Sequence, residues 1–392
     1  MTLGYLVPEF PGQTHAFFWR EIGAIEEAGT PIRLYSTRRP SAGSCPHDFA
    51  AEAARRTTYL FPPSPASAAD HILRHTLRAV RAVAYVVGLK ETSAKRKARL
   101  LALLPSAATL VADARKHGVT HLHIHSCADA AHLGALAHIL GDLPYSLTLH
   151  GDLPVYGADH AAKMKRARFV AAVTQPLAWQ ISEVSPQTDA PVIWMGVDCD
   201  RFVPGPRKPN PVFTVATVAR LNHAKGHRFF LRAMARLRDE GTIVHYKIAG
   251  DGPERDGIAE EIRELGLQDQ VEMLGSLDET AILGLLQGAD ALALTSIGKG
   301  EAAPVTVMEA MSCGLPVICS RIGGTPDMIQ DGVDGLLVEQ EDVDALADAT
   351  SRLARNPDLR HRVGDAARKA ALSRFDRRLN ARKLLNRISG AL

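Results

Sequence analysis

The sequence predicts an α/β fold made of two doubly wound, Rossmann-like domains that face a central cleft. Short apolar runs alternate with stretches of helical period, which is typical of parallel sheets covered by helices on both faces. The chain has 392 residues, more than one ordinary core accommodates. Four prolines within the nine residues 203–211 can continue neither a sheet nor a helix. We therefore predict a first domain over 1–200, a linker over 201–211 and a second domain over 212–373, with a basic helix at 374–392 that can pack back on the first domain.

Six strands are expected in each domain, because each apolar run is short and is bounded by turn residues. In the first domain they are Leu3–Val7, Ile32–Ser36, His121–His125, Tyr145–Leu149, Phe169–Val173 and Val192–Trp194. In the second domain they are Val212–Val218, Ile243–Ala249, Val271–Leu274, Ala291–Leu294, Val317–Cys319 and Gly335–Val338. Doubly wound sheets bind ligands beyond the carboxyl ends of their strands, so site residues are expected there.

The composition excludes several classes of protein. Hydrophobic residues make up 46% and charged residues 23%, the proportions of a soluble globular protein. The net charge of +3 and the aromatic content of 5% argue against a nucleic-acid partner. The five scattered cysteines form no C-x-x-C pair, so we expect no zinc finger or disulfide framework, and a cytoplasmic location. No signal peptide and no apolar run of ~20 residues is evident, which argues against an integral membrane protein.

The turn after the first strand contains small and polar residues that suit a ligand. Gly12 would let the backbone approach a phosphate or a sugar closely, and Thr14 would cap the following helix. We assign Gln13, Thr14 and His15 to the acceptor side of the site, together with Asp152 from a later strand end. The alternative is an ordinary strand-to-helix turn, and this segment alone does not decide between the two.

Histidines are concentrated at two predicted strand ends of the first domain. His121, His123 and His125 alternate and therefore share one face of a strand. Three imidazoles could bind a metal, but no carboxylate or cysteine stands nearby in the sequence, so we predict no metal and only polarity at the strand end. His150 follows the strand Tyr145–Leu149, where it would contact a sugar hydroxyl or support charge at the reacting carbon. The alternative is a histidine of a surface turn.

Two loops of the second domain carry charges that suit a diphosphate and a sugar. Arg220 and Lys225 lie between a strand and a helix, where two cations would neutralise a diphosphate leaving group. The alternative is a solvated basic turn. Glu301 and Glu309 are separated by seven residues around a predicted helix start, whose unpaired N–H groups suit a phosphate. Pro304 fits an early position of that helix. Together these features predict a sugar-nucleotide site.

Other turns of the second domain give weaker signals. Gly250 resembles part of a phosphate loop, but the dinucleotide spacing G-x-G-x-x-G is absent, which argues against NAD. The backbone of Met273 and Leu274, at the end of the next strand, could receive a nucleotide base. The pair Gly323-Gly324 is either a plain turn or a lining for the phosphate end of the site.

These motifs together resemble the GT4 family of retaining glycosyltransferases, whose fold is GT-B. In the second half the resemblance is carried by Arg220, Lys225-Gly226, Gly250–Glu254, Glu301, Glu309-Ala310 and Gly314–Ile318. In the first half, Phe10-Pro11, Glu21-Ile22, His123-x-His125 and His150 are similar to bacterial exopolysaccharide and colanic-acid type members. Two departures are Ala302, where many members carry Gly, and Met195, where Asn is frequent.

The resemblance implies a role for each matching residue. The first domain would hold the acceptor and the second the nucleotide sugar. The catalytic set would be His150, Glu301, Arg220 and Lys225. The implied donor contacts are the diphosphate at Arg220 and Lys225, the ribose at Glu309, the transferred sugar at Glu301, and further sugar or phosphate contacts at Gly12, Ala303, Pro304, Val305 and Thr306. No metal and no cofactor are implied beyond the donor itself.

The expected activity is therefore retaining hexosyl transfer. A hexose would pass from UDP- or GDP-hexose to a carbohydrate acceptor of a lipid-linked kind, in exopolysaccharide or cell-surface glycan synthesis. Two alternatives stay open. A nucleotide-sugar epimerase of the same fold would be recognised by product analysis, and a non-catalytic sugar-nucleotide-binding protein by the lack of turnover.

One segment of the first domain suggests contact with an anionic membrane. Within residues 70–100, apolar side chains follow helical spacing beside a basic stripe; they are Leu73, Leu77, Val80, Ala84 and Val87, with Arg74, Arg78, Arg81, Lys95, Arg96, Lys97 and Arg99. A basic amphipathic segment can lie on an anionic bilayer, which would place the protein at the inner face of the plasma membrane. The alternative is an ordinary helix whose apolar side is in the core.

Overall fold

The computed structural model describes residues 1–13, 15–41, 43, 45, 47–206, 210–298 and 301–390. The chain divides into two compact units: Met1–Trp194 joined by the chain from Asn380 onward, and Met195–Leu379. Each unit contains a six-stranded parallel sheet, which confirms the predicted α/β class with two doubly wound sheets. Residues 207–209 of the predicted linker lie outside the described part of the chain, and the predicted domain limits stay predictions.

The sheet of the first unit has the strand order β3-β2-β1-β4-β5-β6. Its strands are β1 (Thr2–Leu6), β2 (Ile32–Arg38), β3 (Thr57–Phe61), β4 (Val119–Ile124), β5 (Tyr145–Leu149) and β6 (Val170–Ala172). Its helices are α1 (Ala16–Glu27), α2 (Ala50–Arg56), α3 (Pro65–Arg74), α4 (Thr76–Val87), α5 (Ala94–Leu101), α6 (Leu104–Lys116), α7 (Asp129–Gly141), α8 (His160–Met164) and α9 (Gln175–Val184).

The core of this unit forms around central strands that are buried on both faces. All five residues of β5 are buried, as expected for a parallel strand covered by helices on both sides. Helix α1 buries Phe18, Ile22 and Ile25, which follow the i, i+4, i+7 spacing of one helix face. Each such side chain contributes roughly 1.5–3 kcal/mol when it leaves water. Ala381, Leu384 and Ile388, near the end of the chain, pack into the same core.

The strands of this half differ from the prediction at four places, one of which is the end of β2 at Arg38, two residues beyond the predicted end. Strand β3 was not predicted, because its first residues Thr57-Thr58 are polar and no turn residue separates it from α2. The predicted strand Val192–Trp194 is only a single parallel bridge, between Val192 and Ala172. Strand β4 begins at Val119, two residues before the predicted start.

The sheet of the second unit has the order β12-β11-β10-β7-β8-β9. Its strands are β7 (Phe213–Val218), β8 (Val244–Ala249), β9 (Val271–Gly275), β10 (Ala291–Leu294), β11 (Val317–Ser320) and β12 (Leu336–Val338), which confirms all six predictions to within one residue at either end. The helices are α10 (His227–Asp239), α11 (Arg255–Glu264), α12 (Glu279–Gly288), α13 (Val305–Ser312), α14 (Thr325–Met328), α15 (Val343–Arg355) and α16 (Pro357–Ala370). The last helix, α17 (Arg377–Ser389), belongs to the first unit from Asn380 onward.

Each sheet has one point at which the chain reverses its direction of strand addition. In the first unit this point lies between β1 and β4, and in the second between β7 and β10. Loops that leave the carboxyl ends of those strands diverge, which opens the crevice where doubly wound sheets bind ligands. Ligand-binding residues are therefore expected on the loops after β1, β4, β7 and β10. Among the helices described, none combines the length and apolarity needed to cross a membrane.

Candidate active site

An ion pair joins the two loops that flank the reversal point of the second sheet. Lys225 lies on the loop after β7, and its Nζ is 2.5 Å from Oε2 of Glu301, on the loop after β10. The hydroxyl of Ser296 donates a hydrogen bond of 2.7 Å to the same carboxylate oxygen. The Glu301 side chain is only 10% exposed and that of Lys225 25%. The structure thus brings together two residues that the sequence placed in one site, and it adds Ser296.

Backbone packing fixes the position of these two loops. Gly226, beside Lys225, has φ +63°, and a side chain on it would overlap the carbonyl oxygen of Thr295. The hydroxyl of Thr295 donates to the carbonyl of Gly226 at 3.0 Å, and the N–H of Ile297 donates to the carbonyl of Ala224 at 2.8 Å. Only glycine fits this left-handed, crowded position without strain. The loop that carries Lys225 is therefore held against the end of β10.

A third loop holds the backbone of Glu301. Gly323, after β11, has φ +53°, and a side chain on it would overlap the Glu301 carbonyl oxygen. The N–H of Gly324 donates to the carbonyl of Ala302 at 2.7 Å. The pair Gly323-Gly324 is therefore not a plain turn. It lets the backbone after β11 approach the backbone at Glu301 and Ala302 closely. Whether it also lines a phosphate site stays a prediction.

Helix α13 begins one residue later than the sequence suggested. Pro304 has φ −65° and ψ 115°, so it caps the helix instead of lying in its first turn. The first N–H groups of the helix, from Val305 onward, have no intrahelical acceptor and carry the positive end of the helix dipole. The hydroxyl of Thr306 is buried and has no hydrogen-bond partner within the described chain. Glu309 is buried one turn further along.

The loop of Arg220 is held by the loop after β8. Arg220 itself is exposed, and its carbonyl lies 3.3 Å from Nε2 of His227. Gly250 has φ +148°, and a side chain there would overlap the carbonyl of Ala219, while its N–H donates to Gly275 at 2.7 Å. The observed role of Gly250 is therefore close backbone packing beside Arg220. Its direct contact with a donor stays a prediction.

His150 of the first unit follows β5 directly and belongs to a buried polar chain. Its Nε2 lies 3.1 Å from Nδ1 of His125, at the end of β4. Its backbone N–H donates to the hydroxyl of Tyr156 at 2.9 Å. Burial, and then the neighbouring His125, lower the pKa of His150 to about 3, so the ring is neutral near pH 7. A neutral imidazole can accept or donate a hydrogen bond at this strand end, but it is not a cation.

The other two predicted histidines lie within hydrogen-bond distance of hydroxyl groups on the neighbouring strand. His121 lies 2.8 Å from the hydroxyl of Ser146, and His123 lies between Ser146 and Thr148, at 2.8 and 2.9 Å. Sequence reasoning missed the carboxylate beside them. Glu21 of α1 offers a ligand atom within 4.8 Å of those of His123 and His125. The signal was weak because Glu21 lies about 100 residues before β4, so only the fold brings them together.

The loop after β1 approaches His150 through aromatic contacts. The ring of His15 is 5.2 Å from Phe18, and Phe18 is 5.3 Å from His150. Gly12 is packed beside the His15 ring, so a side chain there would touch it at 2.9 Å. Burial lowers the pKa of His15 to about 4.

Two further acceptor-side predictions lie apart from this aromatic group. The carbonyl of Gln13 lies 2.7 Å from Nε2 of His47. Asp152 accepts a hydrogen bond of 2.8 Å from Gln180. Thr14 lies outside the described residues. The acceptor roles of all these residues stay predictions.

Comparison with known proteins connects this geometry to a family. Residues 200–370 match the family model described as Glycosyl transferases group 1. The putative colanic acid biosynthesis glycosyltransferase WcaL of Escherichia coli K12 is 25% identical over 370 residues, which cover 88% of this chain and 89% of that relative. The chain carries a GT4-type, group 1 glycosyltransferase domain. The predicted GT4-type domain and the predicted transferase class are thereby confirmed.

Further relatives support this domain and its fold. A D-inositol 3-phosphate glycosyltransferase of Mycolicibacterium paratuberculosis is 34% identical over 175 residues, 42% of this chain and 39% of that relative. The crystal structure of Anabaena Alr3699/HepE in complex with UDP has a TM-score of 0.74 at 18% identity, with full coverage of both chains. Sucrose-phosphate synthase of Thermosynechococcus elongatus has a TM-score of 0.71 at 19% identity, also over both full chains. These structures confirm the GT-B fold.

Within the glycosyltransferase domain, the predicted donor residues form two groups. One group lies at the reversal point of the sheet, and the other lies at its edge. Lys225 and Glu301 flank the reversal point, and Ala303 to Thr306 follow on the same loop and helix start. Met273 and Leu274 are half-buried at the end of β9, the edge strand, so they are two strands away from β7. Ser296 was missed, although its position directly after β10 and five residues before Glu301 could have indicated it.

Proposed function

We propose that this glycosyltransferase transfers a hexose from a nucleoside-diphosphate sugar, UDP- or GDP-hexose, to a carbohydrate acceptor with retention of anomeric configuration. The observation that carries the proposal is the Lys225–Glu301 pair at the reversal point of the second sheet. A cation and a carboxylate held side by side offer one partner for a diphosphate and one for sugar hydroxyls. The Anabaena protein of the same fold was solved with UDP and with UDP-glucose, which supports a uridine donor as the first candidate.

The proposed chemistry is a substitution on one face of the sugar. As the bond from C1 to the diphosphate oxygen breaks, its electron pair passes to the leaving phosphate. Lys225, Arg220 and the start of helix α13 would oppose this growing negative charge. The acceptor hydroxyl forms the new bond to C1 on the same face and gives its proton to the departing phosphate oxygen. Retention follows because both bonds lie on one face.

Glu301 would orient the sugar instead of attacking it. Ser296 and Lys225 both bind its Oε2, which fixes the carboxylate plane. Within the described chain, no partner contacts its second oxygen, Oε1, which is therefore available to accept from a sugar hydroxyl. His150 would lie near the anomeric centre as a neutral ring, which suits a hydrogen bond to the sugar better than direct charge stabilisation.

Turnover of purified variants tests this proposal. Lys225→Ala and Glu301→Ala should each reduce transfer from a UDP- or GDP-hexose by at least about 100-fold, typical for the loss of a group that stabilises transition-state charge. Lys247→Ala is the matched control, because Lys247 also pairs with a glutamate, Glu272 at 3.6 Å, but on exposed strand residues. Near-normal transfer by both site variants would refute the proposal. A donor panel followed by anomer analysis of the product then identifies the base and tests retention.

We also propose that the acceptor is lipid-linked and that the first unit rests on an anionic membrane, at the cytoplasmic face of the plasma membrane. The apolar side chains Leu73, Leu77, Val80 and Val87 are 73, 64, 63 and 60% exposed. Helix α4 instead buries Ala82 and Val86. The alternative in which this apolar face is in the core is therefore wrong for these four side chains.

Charge around this face favours an anionic partner. Arg81 of α4 is exposed, as are Lys95 and Arg99 of α5, a helix that contacts α4, and basic residues on such a surface suit anionic lipid headgroups. An apolar cleft of about 300 Å³, which Ile72 and Val83 help to line, adjoins the face. The colanic acid relative makes exopolysaccharide or cell-surface glycan synthesis the setting we propose for this activity. Flotation with anionic liposomes tests the membrane contact.

A further inference from the structure

A cleft between three helices of the first unit is lined by apolar side chains alone. It has a volume of about 300 Å³, and among the described residues no polar atom faces it. Its shape is held because α3 packs against α6 and also contacts α4. The lining side chains are Ile72 of α3, Ala79, Val80 and Val83 of α4, and Leu104 at the start of α6.

Water is a poor occupant of this cleft. A water molecule held in a pocket needs roughly two to four polar partners, and these side chains supply none. The volume corresponds to roughly ten water molecules of ~30 Å³ each. A methylene group is of similar size, so an unbranched chain of roughly ten carbons fills the space and leaves water behind.

The cleft is continuous with the exposed apolar face of α4. Val80 and Val83 line the cleft and are 63 and 38% exposed, and Leu77 precedes Val80 by three residues on the same side of the helix. Arg81 is two residues from Val83, which is about 200° around the helix, so the apolar face lies between this basic side chain and the cleft. One amphiphilic molecule can therefore place a charged group at Arg81 and its apolar chain in the cleft.

Charge decides between a lipid and a second copy of the chain as the occupant. Helices α4 and α5 contain no Asp or Glu. Within the described part of the chain, Arg81, Lys95 and Arg99 have no ion-pair partner. In a two-fold dimer the same surface meets itself, so these unpaired cations of one copy would approach those of the other. An anionic lipid brings the opposite charge, which favours it as the occupant.

We propose that this cleft binds one hydrocarbon chain of a lipid phosphate, whose phosphate group meets Arg81. That lipid is the membrane-anchored part of the acceptor, an assignment that rests on the proposed function. Such a site differs from contact between α4 and a bilayer. The apolar face can rest on many lipids without a cleft, whereas the cleft receives a single chain and should bind it in the absence of a bilayer.

Alkyl phosphates at concentrations below micelle formation test the site in the full chain. Each methylene group that leaves water strengthens binding by up to roughly fourfold. In calorimetric titrations, decyl phosphate should therefore bind at least about tenfold more tightly than hexyl phosphate, and inorganic phosphate should not bind measurably. In methyl NMR spectra of protein labelled at Ile, Leu and Val, decyl phosphate should shift the signals of Ile72, Val83 and Leu104.

One substitution closes the cleft and keeps the face of α4 apolar. Val83→Trp fills the space with a ring, so the affinity for decyl phosphate should fall at least about tenfold. Because tryptophan suits a membrane interface, this variant should still float with anionic vesicles. Val333→Trp is the matched control, an exposed valine of the second unit, and it should bind decyl phosphate like the wild type. If Val83→Trp does not fold, Val80→Asp, at a more exposed position of the same lining, should weaken this binding as much.

Four results would overturn the proposal. They are no binding of decyl phosphate, equal binding of hexyl and decyl phosphate, wild-type affinity for decyl phosphate in the cleft variant, and a dimer in solution that Val83→Trp dissociates, which would make a second copy the occupant. The proposed function is tested separately, because chain binding needs no donor. Transfer without chain binding would refute only the cleft, and chain binding without transfer from any nucleotide sugar would refute only the proposed function.

Discussion

Lys225 and Glu301 are in contact across the point where the second sheet reverses its strand order, although 76 residues separate them in the chain. The ammonium group has three donors, so it can hold Glu301 and still donate to a ligand oxygen. Both side chains are mostly buried, which makes the contact less screened than a surface ion pair. The cation and the carboxylate of the proposed donor site are therefore already in contact within this unit.

Neutral substitutions separate the structural role of this pair from its catalytic role. Lys225→Met leaves a buried carboxylate without its cation and should lower the free energy of unfolding by about 1–3 kcal/mol. Adding Glu301→Gln removes that carboxylate charge, so the double variant should regain stability to within about 1 kcal/mol of the wild type. Transfer activity should stay lost in both. Urea unfolding and initial rates give the two readouts.

The same substitution at an exposed pair provides the comparison. Lys247→Met should change the free energy of unfolding by less than about 1 kcal/mol, because its partner Glu272 is 61% exposed and solvent screens the pair. Equal destabilisation at the two sites would contradict the buried-pair account, whereas recovery of activity in the double variant would show that the Lys225–Glu301 pair is only structural.

Ser296 should matter for rate more than for donor affinity. Ser296→Ala removes one of two donors to Oε2 of Glu301 and leaves Lys225 in place. We expect about a tenfold decrease in kcat, equivalent to one hydrogen bond, with the donor KM within about twofold. Steady-state kinetics measure both. Ser182→Ala is the control, since its hydroxyl bonds only to a helix carbonyl in α9; a KM effect alone would argue against an orienting role for Ser296.

The close approach of Gly323 to Glu301 predicts a severe effect of one added methyl group. Gly323→Ala would force its side chain into the Glu301 carbonyl at a left-handed φ of +53°. We expect a loss of at least ~2 kcal/mol of stability, through strain and displacement of the loop, together with loss of transfer. Gly332→Ala is matched in backbone conformation, with φ +76°, but has open space around it, so it should cost only about 1 kcal/mol. Thermal melts compare them, and similar melting temperatures would contradict this account.

The second half of the fold was predictable because its central strands, such as β10 and β11, are buried between two helix layers. Strands such as β10 are apolar at every position, and each ends at a polar or glycine turn. Lys225 and Glu301 were identified for the same reason, since both follow such strand ends. The late start of α13 was not predictable, because Pro304 is equally compatible with a cap and with a first turn.

Other features of the fold and of the candidate site depend on contacts between distant parts of the chain, which no local sequence pattern indicates. Edge strand β3 begins with polar residues and lacks the apolar run of a central strand. Glu21 was named only as part of the family resemblance, and only the packing of α1 against the sheet places it beside His125. Likewise, the exposed face of α4 and a core-facing helix have the same sequence period, so only the structure tells them apart.

A buried carboxylate of the first unit gives a prediction for pH. Burial raises the pKa of Asp113, but hydrogen bonds from Arg33 and Tyr35 outweigh this and hold it below its usual value. A depressed pKa in the folded state stabilises the fold above the unfolded value of about 4, and the contribution is lost as pH falls through the folded value. Asp113→Asn should therefore be less stable by about 1.5–3 kcal/mol at pH 7, and the difference should shrink as the pH falls below about 4.

Urea unfolding from pH 7 to pH 3 measures this difference. Asp70→Asn is the control, because Asp70 pairs only with Arg74 one turn along an exposed helix surface. The free energy of unfolding of Asp70→Asn should differ little from that of the wild type at any pH in this range. A constant gap between wild type and Asp113→Asn across the range would exclude a contribution from the ionised carboxylate.

The exposed face of α4 gives the last prediction. Replacing Leu77 and Val80 with Glu removes two apolar anchors and adds negative charge beside Arg81, so association with anionic vesicles should fall at least about tenfold. Both side chains already lie in solvent, so the melting temperature should not change, and a loss of binding cannot be attributed to unfolding. Flotation at low salt measures the effect. Val333→Glu, an exposed apolar position of the second unit, should float like the wild type. A wild-type protein that stays in the dense fraction, or a double variant that floats equally well, would remove the membrane from the proposed function and leave the transfer chemistry untouched.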